Sequence, residues 1–331
     1  MNKSKIDVAV LILFFNRPEM LKKVFEQVKI ARPSKLYLYQ DGAREGRTDD
    51  IINIQKCREI VSDIDWDCEV HTNYSEKNYG CDPSEYLAQK WMFETEEMGI
   101  VLEDDDVPSQ SFFPFCKELL EKYKDDQRIN MICGMNNCET SEHCPYDYLF
   151  STSGSITGWA SWKRVIDEWD EYIDFVDDEY TVDIFEEAYA TRRKGFVEHC
   201  KKCNASGVAY YEAILSGNAL PQSRLNIVPT RNLISNIGNV GESTHGVADI
   251  SLLPKGIRRI FNMKTYEYDF PLKHPPYVIE DLIFLKRINR IMANGHPMVK
   301  IYRKVESLIY RMAYGDFSMF KRKFKRLFKK N

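Results

Sequence analysis

The sequence predicts an α/β fold: a doubly wound, Rossmann-like parallel sheet with a helical C-terminal extension. Three observations carry this. The run VAVLILFF at 8–15 is apolar at every position and bounded by polar residues. Such a run reads as a strand buried on both faces, as parallel strands are. Strand-like and helix-like segments then alternate through the first hundred residues, which is the pattern of a doubly wound sheet. A length of 331 residues suffices for one large α/β domain with an added helical segment.

The elements follow in order. After the first strand, Asn16 is placed to cap a helix, with Glu19 at its third position completing a capping-box-like pattern. Leu21, Val24, Phe25 and Val28 give that helix one apolar stripe. KLYLYQ at 35–40 is the second strand, and DGAREGRTDD is the turn after it. A helix at 48–62, a strand at 68–73, a helix over 83–97 and the strand GIVLE at 99–103 complete the alternation. The second half is less regular. It reads as a helix at 161–173, helices from 180 to 215, a strand at LNIVP and a helical tail from 279 onward.

Bulk properties narrow the function. The net charge is −4, so nothing global asks for nucleic acid. No run reaches the roughly 18 apolar residues that span a bilayer, and no secretory signal opens the chain. Nine cysteines, an odd and scattered set, fit reduced thiols in a cytoplasm. There is no GxxxxGK[ST], GxGxxG or HExxH pattern.

The informative stretch is GIVLEDDDVPSQSFF at 99–113. Glu103, Asp104, Asp105 and Asp106 follow directly on a buried strand, where like charges repel unless something positive sits among them. Hard carboxylate oxygens suit Mg²⁺ or Mn²⁺, and such an ion also neutralises a diphosphate leaving group. The strand's carboxyl end is where ligands bind in open α/β sheets.

These residues resemble the metal-binding segment of GT-A glycosyltransferases, in particular the N-acetylglucosaminyltransferase I type. Glu103-Asp104-Asp105 is followed by Phe112-Phe113 at the family's spacing. The resemblance implies that Asp105 is the direct metal ligand and that Glu103 and Asp104 lie on the donor side. VLILFFNRPEMLKKVFEQV resembles the family's first strand and helix, placing Arg17 at the nucleotide, and YLYQDGAR would bring Gln40 and Asp41 to the uracil and ribose. GWASWKR resembles the segment at the donor sugar and acceptor, with Trp159 and Trp162 either stacking on sugars or filling core. VPTRNLISNIGNVGESTHG resembles the closing loop, in which Asn236 and Ser243 would bond phosphate oxygens and His245 would be a further metal ligand or a diphosphate contact. Gly238, Gly241 and Gly246 suit a flap over the nucleotide. The likeness covers residues 8–246. It departs at NYGCDPSEY, where the family tends to carry a basic residue and this chain has Asp82-Pro83.

An inverting transferase needs a base at the acceptor hydroxyl. By the resemblance it falls in AYYEAI, which makes Glu212 the candidate. The acids at 167–178 are its competitors. The chain then divides into a catalytic domain at 1–250, with a nucleotide-binding half at 1–106 and an acceptor half with the closing loop at 107–250, and an extension at 251–331. Phe317, Phe320, Phe324 and Phe328 recur at helical spacing in a tail rich in Lys and Arg. That is the pattern of an interfacial helix on an anionic membrane, and it would place the enzyme peripherally on the inner face.

The function expected is transfer of sugar from a nucleotide-sugar donor, a UDP-sugar such as UDP-GlcNAc, to a glycan or lipid-linked acceptor in surface polysaccharide synthesis. A sugar-phosphate nucleotidyltransferase is the first rival, although NRPEM lacks a Gly-rich basic loop. A catalytically silent, membrane-associated carbohydrate-binding protein is the second.

Overall fold

Each long apolar run becomes a central strand. The computed structural model describes residues 3–189, 195–238 and 250–314. Its first half runs β1 (Ile6–Phe14), α1 (Pro18–Ala31), β2 (Pro33–Gln40), α2 (Thr48–Val61), β3 (Glu69–Tyr74), α3 (Cys81–Thr95) and β4 (Met98–Glu103). β1 pairs in parallel with β2 and with β4, and β2 pairs in parallel with β3. Val10, Leu11 and Ile12 are fully buried, because helices cover both faces of the sheet.

The stripe expected on α1 is present: Leu21, Val24, Phe25 and Val28 are buried. Its start corrects the capping expectation. Arg17 is the N-cap residue, Pro18 opens the helix, and no side chain caps it. Proline's fixed φ already suits the first helical position. Asn16 instead donates through Nδ2 to Asp50 Oδ1 at 2.6 Å.

The second half holds β5 (Asp106–Pro108), α4 (Phe112–Lys122), β6 (Ile129–Cys133), β7 (Tyr148–Ser151), β8 (Trp159–Trp162), α5 (Lys163–Ile166), α6 (Glu179–Tyr189), α7 (Phe196–Ser206), α8 (Tyr211–Ala219), β9 (Leu225–Pro229), β10 (Ile234–Asn236), α9 (Lys255–Arg258), α10 (Leu282–Met292) and α11 (Pro297–Ala313). The expected helix at 161–173 is corrected. WASW is strand β8, inserted antiparallel between β4 and β6, and only a short helix follows it. A short apolar run carries no period that separates a buried strand from a buried helix.

The main sheet has eight strands in the order β3-β2-β1-β4-β8-β6-β9-β7. β5 and β10 form a separate antiparallel pair in which Asp106 faces Asn236. Two apolar cores lie on the two sides of the sheet. Tyr268 and Leu272 join the first and Phe284, Leu285 and Ile288 the second, so the segment after 250 closes both layers. Strand order reverses between β1 and β4, which is where open α/β sheets place their ligands.

Candidate functional site

The residue after β1 and the residues after β4 meet at that reversal. Arg17 Nη1 lies 2.9 Å from Asp105 Oδ2. Its Nε donates to Asp104 Oδ2 at 3.2 Å, and its Nη2 pairs with the other Asp104 oxygen. Burial opposes the guanidinium's charge, but the Asp104 and Asp105 carboxylates outweigh it and raise the Arg17 pKa. One cation thus ties together the two strand ends that flank the crevice.

Asp106 is held by the backbone. Asp106 Oδ2 accepts from Gly158 N at 2.7 Å and from Glu103 N at 3.3 Å. Asn236 Nδ2 reaches both Asp105 Oδ1 and Asp106 Oδ1 at 3.3 Å. Burial, then crowding by neighbouring carboxylates, pushes the Glu103 and Asp106 carboxyls well above the usual range. Sequence reading missed one member of this crowd. Glu85, in the second turn of α3, is pushed up to about 8, first by burial and then by Asp82, Glu212 and Asp105. Asp82, Glu85 and Gln89 recur at helical spacing, and that polar stripe on a sheet-facing helix was the available signal.

Two cavities adjoin at this cluster. One, of about 430 Å³, is lined by Phe15, Asn16, Arg17, Tyr39, Asp41 and Asp104 at the ends of β1 and β2. The other, of about 560 Å³, is lined by Asp82, Glu85, Glu103, Asp105 and Glu212, with Met131, Met135 and Ile156 on its apolar side. Arg17, Glu85 and Glu103 border both. Glu212, in the first turn of α8, is exposed and reaches the larger cavity.

The segment after β10 begins at the metal-ligand candidate itself. Ile237 N donates to Asp105 O at 2.9 Å, and Gly238 N to Asn236 Oδ1 at 3.0 Å. A Cβ at Gly238 would stand 1.9 Å from Asp105 Oδ2, so only glycine allows this approach. Ser243, His245 and the basic tail lie outside the described residues.

Three residues expected at the donor are placed as follows. Gln40 is fully buried, its amide donating to the carbonyls of Phe15 and Ile54 and accepting from Arg58 Nε at 2.7 Å, so both its ends serve the scaffold. Trp159 is 2% exposed and packs with Trp169 and Tyr211 in the core, away from both cavities. In its segment it is the preceding backbone N–H, that of Gly158, that reaches the acidic cluster, at Asp106. Asp41 lines the smaller cavity, but its carboxylate also accepts from the backbone N–H groups of Gly42, Tyr79 and Gly80 and from Asn78. It therefore fixes the loop that forms the cavity wall.

Among the described residues, no group of three His, Cys, Asp or Glu side chains is arranged to hold a metal ion. A hard divalent ion bound through one or two carboxylates and a substrate's phosphates needs no such cage. The carboxylates of Asp104 and Asp105 would supply oxygen donors of that kind, with the Arg17 guanidinium now between them.

No family model matches the sequence, and no curated protein matches it. Among solved structures, the chain is similar to UDP-glucose pyrophosphorylase complexed with UDP-glucose, at 9% identity and a TM-score of 0.35 over 69% of this chain and 92% of that one. An apo UDP-glucose pyrophosphorylase matches at 9% identity and a TM-score of 0.34, over 70% and 93%. Overlap at that level carries neither fold nor activity across.

Proposed function

We propose that this chain is a metal-dependent glycosyltransferase that moves a sugar from a nucleotide-sugar donor, a UDP-sugar with UDP-GlcNAc the first to test, to a hydroxyl of a glycan or lipid-linked acceptor, with inversion. One observation carries the reading: Arg17 and the Asp104–Asp105 pair meet at the sheet's reversal point, between two adjoining cavities. The smaller cavity takes the nucleoside and the larger takes sugar and acceptor.

Asp105, with His245 beyond the described residues, would hold Mn²⁺ or Mg²⁺. The ion would supply charge neutralisation for the diphosphate. Arg17 positions the Asp104 and Asp105 carboxylates, and Asp41 holds the nucleoside wall in place. Glu212 takes the proton of the acceptor hydroxyl as its oxygen bonds to the anomeric carbon. The bond from that carbon to the diphosphate breaks, and its electron pair leaves on the nucleoside diphosphate.

A sugar-phosphate nucleotidyltransferase would use the same nucleotide half. Its nucleophile, however, is a phosphate already ionised near neutrality. Such a substrate needs no base, whereas Glu212 stands exposed at the larger cavity, where a neutral hydroxyl acceptor would need one. The test is nucleotide release from a panel of UDP-sugars with Mn²⁺, run beside a pyrophosphorolysis assay. UDP release that requires metal supports the proposal. Formation of UTP from a UDP-sugar and pyrophosphate would favour the nucleotidyltransferase.

A further inference from the structure

We infer that α11 is a membrane contact: its outer face docks on an anionic lipid bilayer. Met298, Ile301, Tyr302, Val305, Ile309 and Met312 fall on one arc of the helix, and each is at least half exposed. Six large apolar side chains in one stripe on a solvent-facing helix mark an interaction surface rather than scattered surface residues. An adjoining face is what packs on the protein. There Glu306 is buried, accepting from Lys255 N at 3.3 Å and from the Tyr310 hydroxyl at 3.1 Å, and Arg258 stacks on the Tyr310 ring.

Charge decides what covers the stripe. Lys300 and Lys304 are exposed beside it, and the only acid in α11 is the buried Glu306. From Leu282 to Tyr314 the sequence carries seven Lys or Arg residues and one acid. A second copy laid on the stripe would bring like charges together with no carboxylate between them. The chain's own last residues are unsuited for the same reason, since residues 321–331 add seven more cations. An anionic surface with an apolar interior satisfies both halves of the pattern: acyl chains for the stripe and headgroups for the lysines. Among the described residues no helix is long and apolar enough to cross a membrane, so the contact is interfacial.

This inference does not depend on the transferase reading. The test is sedimentation of the full chain with vesicles of phosphatidylcholine alone, or with roughly 30% phosphatidylglycerol. Wild type is expected to sediment with the anionic vesicles only. Val305→Asp/Ile309→Asp, at two exposed positions, is expected to lower partitioning at least tenfold with Tm unchanged. Lys300→Glu/Lys304→Glu serves as a second variant, expected to weaken binding mainly at low salt. Equal binding by the apolar variant would overturn the role of α11. A wild-type dimer in solution that the same variant dissociates would overturn it in favour of a second copy.

Discussion

Arg17 Nη1 sits 2.9 Å from Asp105 Oδ2, and this contact joins the end of β1 to the end of β4 across the sheet's reversal point. Asp104, gripped by the same guanidinium, has a side chain only 4% exposed. Removing the cation leaves a buried carboxylate unpaired. Arg17→Ala is therefore expected to cost about 3 kcal/mol in urea unfolding. Mn²⁺ should raise the Tm of this variant more than that of wild type, because the ion no longer competes with the guanidinium for Asp105.

Much of this arrangement is legible in the sequence, and the exceptions have physical causes. β1, β2 and β4 are doubly buried, so their apolar runs stand out, and the acids after β4 follow from where that run stops. The surroundings of Gln40 and Trp159 are not legible, because a residue type says nothing about which side of a strand it occupies. Gln40 faces two backbone carbonyls and Trp159 faces two aromatic rings. Glu85 escaped notice because its proximity to Asp105 arises only when α3 packs across the sheet.

Gly238 touches the carboxylate on which the account turns. A methyl group there displaces Asp105 Oδ2 or the loop. Gly238→Ala should lower kcat/KM for the donor by about a hundredfold, since misplacing a catalytic group by roughly 1 Å costs that much. A change in unfolding free energy comparable to that of Arg17→Ala, with kcat/KM intact, would contradict this.

Glu85 sets a pH dependence. Its folded carboxyl is held up to about 8 by burial and by Asp82, Glu212 and Asp105, whereas the unfolded carboxyl ionises near 4.5. Between those values the native state holds a proton that the unfolded chain has lost. Stability from this group is thus intact below about 4.5 and declines as pH rises toward 8. Glu85→Gln should flatten the decline in Tm measured from pH 5 to pH 8.5.

Glu212 should separate binding from transfer. Glu212→Gln is expected to leave donor KM and metal dependence near wild type while kcat falls about 10²–10⁴-fold, the contribution of a positioned base. The pH profile should lose its acidic limb. If instead donor KM rises in parallel and the acidic limb persists, Glu212 is a binding residue and the base lies elsewhere on the acidic wall.

The most direct measurement is anomalous diffraction at the manganese edge from crystals grown with Mn²⁺ and UDP, for wild type and Asp105→Asn. One strong peak is expected against the Asp105 carboxylate, beside the diphosphate, and its loss in the variant. UDP bound with no manganese beside Asp105, or a peak unchanged in Asp105→Asn, would contradict it.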